Sequence, residues 1–377
     1  MRSVVFLTVV TLAAIMAGSP ARAADDDLRA LYAQVIRNPA DTQTNLQYAR
    51  LAEERGMLRW ALSAYERMLV NDPDNEEVKR GLQRIRRKLQ PSVTQWVFET
   101  GGIFESNPRY VPNSPNNELQ VLSSLSVRDE RNLGDWRWRT TASAAGWWHQ
   151  KERDLNYAYA GGVTGPVIDV ATAWSLHLAA GGGASYFDNH LFYSEGIAQA
   201  TLEGYLEGAY RAIQVRGAYR NYDNAFPLSE GFYADVIGRF HFPDVIGPNS
   251  LLVLSPWLRW SGISGVGLSS VLTDVQPGAY VEWGARAELM QSITPWLVMG
   301  PTFSVYQRFY SHDVTPLSVD EKRTDLFVVP GATAIFPNLF AYQTGLRLDY
   351  RYMDDHSNDF TRGFTDHIFS ATVYARF

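Results

Sequence analysis

The chain has 377 residues, a formal net charge of −6, 13% aromatic residues and no cysteine. The missing cysteine removes disulfides, thiolate catalysis and thiolate metal sites together. An acidic balance, with a pI near 5.7, lacks the clustered positive field that nucleic acid as a partner would require.

At the start, Met1-Arg2 is followed by a continuous apolar run from Val4 to Met16, then Gly18, Ser19 and Pro20, then Ala21-Arg22-Ala23. A charged start, a short apolar stretch and a small-x-small site are the marks of a secretory signal peptide. Residues 1–23 are therefore expected to be removed, leaving a mature chain that begins near Ala24 or Asp25. After this segment no apolar run reaches the ~18 residues a membrane-crossing helix requires.

Residues 25–90 read as a helical domain. Leu31, Val35, Leu46, Leu51, Leu58, Leu62, Leu69 and Leu82 recur at helical spacings. Asn38-Pro39-Ala40-Asp41 returns as Asp72-Pro73-Asp74-Asn75, and Pro73 follows Pro39 by 34 positions. That is the tetratricopeptide period. Gly56 falls at the turn between the two helices of the repeat, Ala61 where they pack closely, and Tyr65 at its aromatic position. A final helix over 75–89 carries Arg80, Arg84, Arg86, Arg87 and Lys88. It reads as a solvated cap with charges that suit a helix C-terminus.

After Pro91 the apolar period changes from 3.6 to 2. In 136–148, Trp136, Trp138, Thr140, Ala142, Ala144, Gly146 and Trp148 form one face against Arg137, Arg139, Thr141, Ser143 and Ala145. The segments 281–289 and 342–352 split in the same way. Ten of the 11 Trp lie beyond residue 90, and aromatics gather at the ends of apolar faces, as in membrane-barrel girdles. The expected fold over 93–377 is a membrane all-β, antiparallel transmembrane barrel of about 14 strands, preceded by the small α-helical domain. Its strands are expected near 93–105, 118–131, 136–150, 155–168, 172–187, 191–206, 209–222, 231–243, 250–261, 275–291, 295–311, 323–337, 339–353 and 366–377. Tight turns at 132–135, 168–171, 207–209, 292–295 and 337–339 belong on the periplasmic side; longer polar stretches belong outside the cell. The last strand puts Phe369, Ala371, Val373, Ala375 and Phe377 on one face. An end of this kind is similar to the signal read by the barrel assembly machinery.

Only water inside a barrel tolerates charge at mid-depth; facing lipid there costs ~2–4 kcal/mol. Arg137, Arg139, Arg216, Arg220, Glu282, Arg286, Glu288, Arg347, Asp349, Arg351 and Arg376 are thus expected to line the lumen, either bracing the wall by cross-strand pairs or contacting a passing substrate. No enzyme signature is present: there is no Gly-x-Ser-x-Gly elbow and no His-Glu-x-x-His pair. Asp188, His190 and Ser194 are a weak candidate for a Ser-His-acid site. Asp354, Asp355, His356, Asn358 and Asp359 are a weak candidate for a hard cation; a hydrated loop tip is the plainer reading. No cofactor is expected.

The helical repeat followed by Gly101-Gly102-Ile103-Phe104-Glu105-Ser106-Asn107-Pro108, and the final segment from Tyr350-Arg351-Tyr352-Met353-Asp354 to Arg376-Phe377, resemble the surface lipoprotein assembly modifiers, or Slam proteins. The resemblance implies a periplasmic helical-repeat domain and a 14-stranded barrel. It also implies an activity, moving lipoproteins or haem-binding proteins to the cell surface. The partners it implies are outer-membrane lipid, the assembly machinery and a periplasmic client. An exopolysaccharide export porin shares this architecture, and a passive porin or structural barrel is a further alternative.

Overall fold

The computed structural model describes residues 20–377 apart from 40, 73–74, 90–91, 113–115, 134–135, 172, 207–208, 225–229, 264–278 and 314–320. They form two compact units that divide between Pro91 and Ser92. Most of the expected signal peptide, and Pro73, lie outside the described residues. The first described helix begins at Pro20, so it includes the expected cleavage motif.

The first unit contains four helices: α1 (Pro20–Arg37), α2 (Thr42–Glu54), α3 (Leu58–Asn71) and α4 (Glu76–Leu89). Asp41 starts α2 as its N-cap, accepting from the Gln43 and Thr44 amides at 3.1 and 3.4 Å. The Thr44 hydroxyl, which donates to the same carboxylate, holds the Asp41 pKa below its ordinary value. Gly56 ends α2 with φ +72°, a left-handed conformation that costs glycine nothing. The chain then reverses directly into α3. Ala49, Ala52, Ala61 and Ala64 are fully buried, and their small side chains let the helix backbones approach. Tyr65 fills the centre of the unit, its ring against Gly81, where an added Cβ would meet Cζ at 2.5 Å. The basic face of α4 is not simply solvated. Arg84 makes a two-pronged bond to Glu53 at 2.6 and 2.7 Å, Lys88 reaches the same carboxylate at 3.1 Å, and Arg86 pairs with Glu66 at 3.0 Å. These charges tie α4 back to α2 and α3.

The second unit is a closed barrel of 14 antiparallel strands, each paired with its sequence neighbours, with the first joined to the last. The strands are β1 (Val93–Glu105), β2 (Glu118–Leu133), β3 (Trp136–His149), β4 (Tyr157–Ala171), β5 (Trp174–Phe187), β6 (His190–Leu206), β7 (Ala209–Tyr222), β8 (Gly231–Pro243), β9 (Ser250–Gly262), β10 (Ala279–Thr294), β11 (Leu297–Asp313), β12 (Lys322–Ala341), β13 (Thr344–Ser357) and β14 (Phe364–Arg376). The closing seam pairs Val97–Glu105 with Ile368–Arg376, and Trp96 and Phe377 exchange backbone bonds at 3.0 Å beyond it. Closure leaves no unpaired edge, the condition for a sheet to sit in lipid. No described helix is long and apolar enough to cross a membrane. The strands cross it, and the shortest has 13 residues, above the ~9–11 a tilted transmembrane strand needs.

The registers carry one alternation round the whole wall. Residues paired across each ladder share a face, so Trp138 aligns with Pro166, and Arg139 with Gly165, on opposite faces. The outward face is apolar and exposed. Trp148, Tyr186, Tyr219, Phe232, Trp260 and Phe309 ring one end; Trp136, Trp296 and Phe340 ring the other. Three turns differ from expectation: β4 runs on through Ala171, so its turn into β5 falls between Ala171 and Trp174 rather than at 168–171. The hairpin between β12 and β13 turns at Tyr342–Gln343, not at 337–339, because an irregularity after Phe336 carries β12 on to Ala341. Asn338 and Gln343 both adopt positive φ there, and the Asn338 side chain accepts the Gln343 amide at 2.6 Å. The β10–β11 turn falls at Pro295–Trp296 rather than 292–295.

Candidate functional site: the inner wall of the barrel

The inward face holds a row of charges that alternate in sign from strand to strand. Glu195 on β6 faces Arg220 on β7; Arg216 on β7 faces Asp235 on β8; Asp235 faces Arg259 on β9. Arg259 faces Glu282 on β10, Glu282 faces Arg308 on β11, and Arg308 faces Asp325 on β12. Direct cross-strand opposition is the arrangement in which opposite charges stabilise a sheet. The carboxylates are withdrawn from water, and two of them, Glu195 and Glu282, are filled with donors. Glu195 takes Arg216 at 2.5 Å, Arg220 at 3.0 Å and the Tyr159 hydroxyl at 2.9 Å. Glu282 takes both prongs of Arg308 at 2.6 and 2.8 Å, Arg259 at 3.0 Å and the Trp257 indole at 2.7 Å. Aromatic rings cover the guanidiniums: Arg220 lies over Tyr193 and Tyr233, Arg308 over Tyr280, and Arg323 over Tyr310. This combines charge pairing with cation–π attraction in a desolvated setting.

Toward the short-turn end, a second network braces β2 to β7. Arg139 bonds Glu130 at 2.8 Å and Glu203 at 2.5 Å, while Arg137 joins Glu130 at 2.8 Å and also meets Asp169. The Arg139–Glu203 bond passes from β3 to β6 over two intervening strands, which only side chains inside the cylinder can do. Gly165 on β4 opposes Arg139 and leaves that path open. On the far side, Arg286 pairs with Glu288 at 2.6 Å and Arg347 with Asp349 at 2.8 Å.

At the other end the inner wall is packed with apolar side chains. Leu155, Phe187, Phe192, Tyr193, Tyr222 and Ile263 form one cluster; Ile103, Phe327, Val329, Met353, Phe364 and Ile368 form another that Tyr110 and Trp147 join. Trp147 and Tyr157 meet at 5.5 Å between centroids and link the two groups. Segments after β1 and β3 are fastened over this end. The Ser106 and Asn107 amides both donate at 2.9 Å to the buried carboxylate of Asp366, which the Ser106 hydroxyl also meets at 2.8 Å. Glu118, itself buried, accepts the amides of Gln150, Lys151 and Glu152, and Arg109 bonds Glu152 and Asp154. Such packing is unlike an open pore, whose inner side chains would contact water.

Between the ion network and the aromatic belt, the inner wall of β1–β4, β6 and β7 forms an open cavity of about 370 Å³. Gln95, Ser126, Arg128, Tyr159, Gln199 and Arg216 are among its polar lining. Its volume falls within the ~300–1,000 Å³ of small-molecule sites.

All of the inner-face residues expected from sequence fall on the lumen parity of their strands: Arg137 and Arg139 on β3, Arg216 and Arg220 on β7, Glu282, Arg286 and Glu288 on β10, Arg347, Asp349 and Arg351 on β13, and Arg376 on β14. They do not form one site: apart from Arg351, which faces Gly331 on β12, and Arg376 at the short-turn rim, they divide among the networks above. Phe369 and Phe377 face outward and exposed, and Val373 shares their face. The expectation omits Glu130, Glu195, Glu203, Asp235, Arg259, Arg308 and Asp325. Their signal is present as scattered charges on one parity of an alternating strand, but it gains meaning only when neighbouring strands are set in register. The two weak chemical candidates separate. Asp188 and Asn189 form the tip of the β5–β6 hairpin with positive φ, and Ser194 is exposed on β6, paired with Asn221. Asp354 and His356 lie on the outward parity, at 3.2 Å from each other, whereas Asp355 is buried on the inward parity. Asn358 holds Thr324 and Lys322, and Asp359 caps Thr361. No described group of three or more His, Asp or Glu is placed to hold a metal ion.

The closed wall, apolar outside and charged inside, defines the class: a transmembrane β-barrel of the outer-membrane type. The sequence matches no protein-family model and no curated protein. Among solved structures the chain is similar to a bacterial polysaccharide outer membrane secretin, with a TM-score of 0.47 and 11% identity over 75% of this chain and 98% of that one. It is also similar to OccD3 (OpdP) of Pseudomonas aeruginosa, with a TM-score of 0.36 and 9% identity over 75% of this chain and 91% of the other. The outer membrane protein opdK of the same organism gives 0.37 and 9%, over 75% and 98%.

Proposed function

We propose that the protein is an outer-membrane export channel of Slam-like organisation, in which a periplasmic helical-repeat domain receives a client and the barrel delivers it to the cell surface. The observation that carries this reading is the placement of β1. Its first residue, Val93, stands at the barrel end that carries the short turns, only four positions after α4 ends at Leu89. In bacterial barrels the short turns are periplasmic, so whatever precedes Val93 belongs to the periplasm. Gly56, Ala61 and Tyr65 occupy the turn, close-packing and aromatic roles that a tetratricopeptide-type unit needs, and such units serve as docking surfaces. The packed inner wall weighs against a passive porin.

The resemblance to Slam proteins makes the client a surface lipoprotein or a secreted haem-binding protein. A second reading, export of a polysaccharide, is favoured by the cavity, whose walls offer amides, hydroxyls, guanidiniums and an aromatic ring. Deleting the gene and comparing surface-exposed proteins with secreted polysaccharide separates the two. Loss of specific surface proteins, with polysaccharide unchanged, is the outcome expected of the Slam-like reading; the reverse pattern overturns it in favour of the second.

A further inference from the structure

We infer that the cavity in the barrel wall is a subsite for one ring of a carboxylate-bearing sugar. The inference rests on the polysaccharide reading above and names its substrate class. Tyr159 supplies a platform. An added Cβ would meet its Cζ at 2.8 Å from Gly161 and its Cε2 at 3.0 Å from Gly183. The ring therefore lies flat across two glycines of adjacent strands, with its hydroxyl fixed by Glu195 at 2.9 Å. A flat, anchored aromatic face beside hydrogen-bonding groups suits the C–H face of a pyranose, because apolar contact and polar recognition are then supplied from different sides.

The charges around the platform select the acid. Arg128 and Arg216 line the cavity, and no carboxylate is among its lining residues. The nearest acids stand behind the surface. Glu195 has a side-chain exposure of 0% and is shared among Arg216, Arg220 and Tyr159; Asp235, which faces Arg216 across the ladder, is buried and is no part of the cavity lining. Glu203 is taken by Arg139 at 2.5 Å, and Arg128 meets Glu203 and Glu130 through Nη2 at 3.4 Å each. The Arg128 side chain remains 45% exposed, and its planar guanidinium can turn from these two long contacts to a two-pronged bond with a carboxylate. Gln95, Gln199 and Gln214 and the hydroxyls of Ser126, Thr141 and Ser143 complete a lining suited to the hydroxyl groups of a sugar.

The test uses the purified full chain in detergent micelles, titrated calorimetrically with glucuronate, glucose and acetate. Glucuronate is expected to bind, with glucose and acetate each weaker by about tenfold or more, since each lacks one half of the recognition. Arg128→Gln is expected to weaken glucuronate by about tenfold and leave glucose unchanged, while Arg351→Gln, outside the cavity, leaves both unchanged. Heat-modifiable electrophoretic mobility establishes that each variant is a folded barrel. Equal affinity for glucose and glucuronate, or glucuronate binding untouched by Arg128→Gln in a folded barrel, overturns the site. Linear oligouronates distinguish the source: affinity rising with length assigns the site to a polymer segment, and equal affinity at every length assigns it to a free acidic sugar. If gene deletion leaves secreted polysaccharide intact while glucuronate still binds, the export reading falls and the site stands.

Discussion

Glu282 shows why charge inside this wall is tied to geometry rather than to composition. Its carboxylate is 1% exposed and holds Arg259, Arg308 and Trp257 together. Removing it takes the shared carboxylate from two guanidiniums and leaves Arg259 facing only Asp235 and Arg308 only Asp325; breaking a buried pair in this way costs ~3–5 kcal/mol. Glu282→Ala is therefore expected to lower the unfolding free energy of the barrel refolded in lipid vesicles by about that amount, read as a fall in its urea midpoint. A midpoint within error of the parent would mean that water reaches this row and screens it. The outward face obeys the opposite rule. Leu348 is exposed on the lipid side and aligns with Ala371, next to Arg347 on the water side, whose partner Asp349 is also held by Thr333. Leu348→Arg is expected to cost ~2–4 kcal/mol near mid-depth and to suppress the heat-modifiable folded band. Arg347→Ala leaves Asp349 a hydroxyl donor and should leave that band near the parent level. Equal loss from both would reverse the faces assigned to β13.

At the scale of elements, α4 is held to its neighbours by charge as well as by Val78, Leu82 and Ile85. The two-pronged bond from Arg84, then the bond from Lys88, holds the Glu53 carboxyl below its ordinary 4.5, against the opposing effect of burial. A lowered carboxyl pKa stabilises the fold at pH values above the unfolded-state value and stops doing so as pH falls through the folded value. The helical signal of the full chain is thus expected to melt at a lower temperature below about pH 4.5, and Glu53→Gln should melt early at pH 7 and lose most of that acid dependence. A parent melting temperature flat from pH 7 to pH 3 would remove Glu53 from the account. Elements of this kind were legible to different depths. The helices and all the strands stand near their expected places because their periods, 3.6 and 2, are local properties of the chain. The β12–β13 turn was misplaced because Pro337-Asn338 resembles a turn, and Asn338 does adopt positive φ; the ladder resumes past it and the reversal waits until Gln343. The role of α4's basic face was hidden because Glu53 lies 31 positions from Arg84, beyond any local pattern.

For the whole molecule, the same limit separates the wall from what the wall does. Alternation tells which side chains look inward, so Arg139 and Glu282 were recognisable as lumen residues. It does not tell which strand faces which across the cylinder, so the Arg139–Glu203 bridge, the Tyr159 platform and the cavity were not. Closure has a further consequence for how the parts depend on each other. The barrel joins β1 to β14 through its own backbone, with Trp96 and Phe377 bonded beyond the last pair, and draws none of its ladder from the helices. Deleting residues 26–90, with the first 25 kept, is therefore expected to leave the heat-modifiable barrel and its outer-membrane location intact. If the helices receive the client, the same deletion abolishes export as completely as loss of the gene, read by surface labelling and by secreted polysaccharide in one strain. A barrel that fails to assemble without the helices would make them a folding aid, and a barrel that assembles and exports normally would leave the repeat domain without the receiving role proposed for it.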